Sequence, residues 1–118
     1  MTRSLSVLAS SSIIALSMSC ASVPVPQERL TTSEGSIRAA TEMGAEREPR
    51  AALHLKLALE QLEQAKLLIA DGQNARADIV LQKAFADSEL ALQLTKETAA
   101  MAEAALIQKE VTALRSGG

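Results

Sequence analysis

Residues 51–95 read AALHLKLALEQLEQAKLLIADGQNARADIVLQKAFADSELALQLT. In the first half, Ala51, Leu55, Ala58, Leu62, Ala65 and Ile69 succeed one another in steps of four and three, the spacing that lines one face of an α-helix. Leu53, Leu57, Leu59, Leu67 and Leu68 widen the stripe, so this helix is expected to touch more than one neighbour. Asp71-Gly72-Gln73-Asn74 then interrupts the run; Gly72 suits the left-handed closing conformation, and Asn74 is expected to cap the next helix. A connection this short forces the two helices to run antiparallel. The four-three steps resume through Leu81, Phe85, Ser88, Leu92 and Thr95, and continue as Ala99, Ala102 and Leu106, with no Gly or Pro between Ala75 and Arg115. The expected fold is all-α: an antiparallel helical hairpin with a long C-terminal helix, and Phe85, the only aromatic residue, anchoring its core.

Upstream of the hairpin, Gly44 and Pro49 break the pattern. Proline is comfortable only in a first helical turn, so Pro49 reads as the start of the second helix. Before the break, Thr31, Thr32 and Ser33 offer capping oxygens, and Glu34 and Arg38 are spaced as an i,i+4 pair, which predicts a short additional N-terminal helix ending near Met43. The helical unit is thus expected over residues 33–116. At ~1.5 Å per residue the third helix is about 60 Å long and the second about 30 Å, so the third outruns its partner. Beyond Thr95 the overhang needs cover, either from the first helix, entering at the base of the second, or from another molecule meeting Leu106, Ile107, Val111 and Leu114.

Composition excludes several classes of function. Hydrophobic residues make up 47% and aromatic residues 1% of the 118, with 22 Ala and 17 Leu, a bias that suits helices over sheets. Net charge is −2, with signs alternating along the chain. Nucleic-acid binding needs a basic stripe and usually stacking aromatics, so it is not expected. The single cysteine, Cys20, allows no intrachain disulfide.

Residues 1–20 read MTRSLSVLASSSIIALSMSC. A basic start at Arg3, a mostly apolar run from Leu5 to Met18 and small Ser19 before Cys20 have the outline of a secretory signal. The run is shorter than the roughly 20 residues that span a bilayer, so cleavage is expected rather than a permanent membrane helix. The segment Leu16-Ser17-Met18-Ser19-Cys20 resembles the lipobox of bacterial lipoproteins, although Ser17 stands where that pattern usually has an aliphatic residue. The resemblance implies a signal peptide over 1–19 and lipidation of Cys20 as the new N-terminus. Two or three acyl chains there would hold the protein on a membrane without crossing it. Residues 20–32, which include Pro24 and Pro26, are expected to form a flexible tether. Residue 21 is Ala and not the Asp that retains many enteric lipoproteins at the inner membrane, so the outer membrane, facing the periplasm, is the expected location.

The stretch from Gly44 to Ala105 resembles domain-of-unknown-function family 4398, whose members are short helical modules in envelope lipoproteins. The matching features are a Pro near a helix start, Leu59, Leu62, Ala65 and Lys66, the turn Asp71-Gly72, and Ala84, Ala86, Asp87, Glu89, Leu90 and Ala91 in the next helix. Arg47-Glu48 depart from it, since a Tyr or another hydrophobic residue often precedes the Pro in that family. The resemblance implies a periplasmic interaction or scaffolding module and brings no catalytic residue.

Chemistry-bearing constellations are sparse. His54 is the only histidine, which excludes multi-histidine metal sites and, lying off the seam, reads as a partly exposed surface residue. Glu60 and Glu63 read as a solvated face with Glu63 pairing to Lys66, and Asp87 and Glu89, near Lys83, as more of the same surface. Met43 and Met101 read as gap-fillers. No catalytic site, cofactor or metal is expected, and the chain is read as non-enzymatic. Its expected partners are a membrane, through Cys20, and a protein or a second copy, through helix three. The alternative function is a small carrier of lipid or another apolar ligand, attached to the outer membrane, with splayed helices enclosing a groove.

Overall fold

The computed structural model describes residues 22–118. Its elements are α1 (Gln27–Glu42), a 3-10 turn (Ala45–Arg47), α2 (Pro49–Ala70) and α3 (Asn74–Ser116), with no strand among the described residues. The chain is all-α, with α2 and α3 forming the antiparallel hairpin. At ~1.5 Å per residue the 43 residues of α3 extend about 64 Å, nearly twice the length of the 22-residue α2.

Two four-three ladders face each other along the hairpin. Ala51, Leu55, Ala58, Leu62 and Ala65 are buried on α2, and Ala77, Leu81, Ala84, Ser88, Ala91 and Thr95 on α3. Alanine at every second step lets the backbones approach closely, and leucine fills the gaps. The two hydroxyls in the α3 ladder satisfy themselves locally: Ser88 donates to the Phe85 carbonyl (2.8 Å) and Thr95 to the Ala91 carbonyl (2.9 Å). Each therefore tolerates burial without a partner on another helix.

The α3 ladder differs from the sequence expectation at two rungs. After Leu81 and Ser88 the step inward is three, to Ala84 and Ala91, and not four, to Phe85 and Leu92. Phe85 is 39% exposed and does not anchor the core. Of the leucines that widen the α2 stripe, Leu57 and Leu68 are half-buried and Leu53, Leu59 and Leu67 exposed; α2 meets α1 and the 3-10 turn as well as α3, more than one neighbour as expected.

Helix α1 begins at Gln27, so residues 27–32 are helical and not part of a tether. Pro26 precedes the first turn, a place proline tolerates because the missing N–H is unpaired there anyway. Thr31 and Thr32 do not cap; their hydroxyls donate to the Gln27 and Glu28 carbonyls four residues back, at 3.0 and 2.8 Å. Ser33 is fully buried and donates to the Leu81 carbonyl on α3 (3.1 Å). Glu34 turns toward Lys66 on α2 (3.2 Å) instead of Arg38.

The direction of α1 follows from its contacts. Arg29 pairs with Asp78, Ser33 with Leu81, and Ser36 with Glu89, so α1 runs parallel to the first half of α3. It enters at the hairpin turn and ends at the base of α2, the reverse of the expected entry, and leaves the α3 overhang uncovered.

Both chain reversals use glycine where φ is positive, Gly44 at 85° and Gly72 at 72°. Pro49 opens α2 as expected, capped by Glu48, whose carboxylate accepts from the Ala51 backbone N–H. That bond, assisted by Arg50, lowers the Glu48 pKa from its ordinary value. Asn74 does not cap α3; its side-chain amide instead donates to the Val23 carbonyl (2.7 Å).

Candidate functional site

Four places in the fold hold chemistry or unpartnered surface. The first is the turn end. The Asn74–Val23 bond ties the segment before α1 to the start of α3, beside Asp71-Gly72. The chain therefore enters the bundle at its turn end, and the α3 overhang points away from that end. Cys20, assigned to lipidation from the sequence, lies outside the described residues, as do the signal segment 1–19 and Ala21.

A hollow of about 610 Å³ lies at this same end, between the start of α1 and α3. Val25, Leu81 and half-exposed Phe85 give it apolar walls, and the Arg29–Asp78 ion pair and Gln82 sit at its polar rim. Phe85 belongs to this hollow and not to the hairpin seam.

The third place is a polar cluster bridging α2 and α3. Asp87 accepts from the Gln61 amide (2.8 Å) with one oxygen, and its other oxygen lies 2.8 Å from His54 Nδ1. The His54 and Asp87 side chains are 27% and 21% exposed, so His54 is partly exposed as expected, but Asp87 serves as a crosslink between helices and not as solvated surface. No hydroxyl or thiol among the described residues hydrogen-bonds the imidazole. Replacing Asp87 with Ala removes the acceptor from both donors and is expected to cost about 1–2 kcal/mol of stability, with Asp87→Asn costing less; urea titration of the two variants measures it.

The remaining acidic candidates are surface pairs. Glu60 lies 3.8 Å from Lys56, and Glu63 3.2 Å from Lys66, the latter as its spacing predicts. Lys66 also reaches Glu34, and its two carboxylate partners raise its pKa from the ordinary value. Glu89 accepts from Ser36 instead of joining Lys83. Among the described residues no three His, Cys, Asp or Glu side chains are grouped to hold a metal ion, and no helix is long and apolar enough to cross a membrane.

The fourth place is the overhang. From Lys96 onward every residue of α3 except half-buried Val111 is exposed, including Met101, Leu106, Ile107 and Leu114. Met101 is therefore no gap-filler, and Met43, at the base of the overhang, is exposed too. Helix length alone marks this surface in the sequence. The His54–Asp87–Gln61 cluster carries no such mark, because nothing in the local spacing makes neighbours of two residues 33 positions apart.

No protein-family model, curated protein or solved structure matches this chain.

Proposed function

We propose that the protein is a lipid-anchored bacterial envelope protein whose three helices form a non-enzymatic interaction or scaffolding module, held by acyl chains on Cys20 and facing the periplasm from the outer membrane. The observation that carries this reading is the signal-like run of residues 1–20 ending in Ser19-Cys20, and the Asn74–Val23 hydrogen bond gives the orientation it implies. Only a few residues separate Val23 from Cys20, so an anchor there sets the hairpin turn against the lipid surface. The α3 overhang is then carried outward, its far end about 60 Å from the turn at ~1.5 Å per residue. The lipobox-like segment Leu16-Ser17-Met18-Ser19-Cys20 supports the same reading.

The expected result is that the exported chain takes up labelled palmitate and sediments with membranes, and that Cys20→Ala abolishes both. Two or more acyl chains, at about 0.8 kcal/mol per buried methylene, make attachment effectively stable, so the loss on substitution is expected to be nearly complete. Unchanged membrane retention of Cys20→Ala would refute the anchor.

The carrier reading is favoured by one observation, the apolar-walled hollow of about 610 Å³ beside Val25 and Phe85. It predicts lipid in organic extracts of the purified Cys20→Ala chain, which carries no lipid of its own.

A further inference from the structure

The face of α3 turned away from α1 and α2 carries a second heptad ladder. Ala100, Ala104, Ile107, Val111 and Leu114 follow in steps of four and three. Two residues separate this ladder from the buried one, whose continuation would be Thr98, Ala102 and Ala105. At about 100° per residue that offset places the two ladders on nearly opposite sides of the helix. Toward the turn the same line passes Glu97, Gln93 and Lys83 as well as exposed Leu90 and Ile79, so its unbroken apolar part runs from Ala100 to Leu114. A helix laid on this face meets neither α1 nor α2.

We infer that this outer face of α3 binds a second copy of the chain, side by side, parallel and in register. Charge supports the choice. With Ala104 and Val111 at the first core position of each heptad and Ala100, Ile107 and Leu114 at the second, parallel pairing sets Glu110 beside Arg115 of the other copy, twice by symmetry. It also sets Glu103 beside Gln108, and Lys96 beside Met101. Antiparallel pairing on the same ladder instead faces Glu103 with Glu110 across one flank, twice. The one acidic residue on the ladder's line at its base, Glu97, is drawn aside by Arg50 of its own α2 (3.3 Å). Branched Val111 followed by Leu114 is the core pattern that favours two strands.

The charge pattern is independent of the anchor proposed above, but the anchor favours the same arrangement. Copies held on one membrane by the turn end all direct their overhangs the same way, so they meet in parallel. Confinement to a surface also raises their effective concentration.

Single-cysteine substitutions test this in the full chain, with Cys20 retained and with Cys20→Ala. Oxidation is expected to give disulfide-linked dimers from Ile107→Cys and from Leu114→Cys, and none above background from Thr112→Cys, which points off the ladder. Arg115→Glu is expected to weaken association roughly three- to tenfold, and Glu110→Arg added to it to restore the original strength. Absence of self-crosslinks at 107 and 114, crosslinking between the Ile107→Cys chain and an Ala104→Cys chain mixed with it instead, or capture of a different protein at 114 would overturn the pairing. Palmitate uptake by the Cys20-retaining chain is read in parallel: self-crosslinks without palmitate would uphold the pairing and refute only the anchor.

Discussion

Leu81→Ala is expected to destabilise the bundle by about 3 kcal/mol, within the roughly 2–5 kcal/mol that removal of a buried leucine costs. Leu81 has no exposed surface and is the largest fully buried side chain among the described residues. It sits where all three helices meet, its side chain in the hairpin ladder and its carbonyl accepting from Ser33 of α1. A small helical unit has few kcal/mol in reserve. Urea unfolding followed by far-ultraviolet circular dichroism should therefore show a large fall in midpoint with no change in slope. Leu106→Ala, which removes the same atoms from the exposed overhang, is the comparison; it is expected to stay within about 0.5 kcal/mol in dilute solution.

The contrast between those two leucines marks what is legible in the sequence. Helix count, the Pro49 start, the Gly72 turn and the overhang all follow from spacing and from residues with restricted backbones, and each stands in the structure. The α2 ladder is equally plain, because small and large residues alternate along it in unbroken four-three steps, and the extra leucines flank it without displacing a rung. On α3 the spacing points to Phe85 and Leu92 over Ala84 and Ala91 only when large apolar side chains are weighted above alanine. Where backbones approach closely the smallest side chain belongs inside, and the larger neighbour is displaced to the rim.

At the start of α1 the difference between expectation and structure has another origin. Thr31, Thr32 and Ser33 are good capping residues in isolation, but the threonine hydroxyls bond equally well to a carbonyl four residues back once a helix exists around them. What creates that helix is tertiary: Leu30 packs against the core, and Arg29 pairs with Asp78, 49 residues away. The cap that does occur before α2 is Glu48, a less common capping residue hidden in the sequence beside the stronger signal of Pro49. The His54–Asp87–Gln61 cluster is invisible in the sequence for the same tertiary reason, since its members are brought together only when the hairpin closes.

The second large effect is expected from making the bundle's small residues larger. Ala84→Leu is expected to cost about 1–3 kcal/mol and to loosen the packing of α3 against its neighbours, while Ala86→Leu, two residues along the same helix, should change stability by less than about 0.5 kcal/mol. Ala84 is fully buried and Ala86 exposed, and the two substitutions change helix propensity equally. Any difference between them therefore measures the closeness of approach at Ala84 alone. If alanine were present only as a good helix former, the two variants would be equally stable, and close packing could not be what places alanine on the ladder. If the alanines set the spacing, the Ala84→Leu variant keeps its helical spectrum but melts at lower temperature and over a broader range, because the helices persist while the close contact between them does not. In that case the buried alanines of the two ladders are explained by the packing of the helices around Leu81, and the exposed leucines that flank those ladders, such as Leu53, Leu59 and Leu90, are the residues for which that packing left no room.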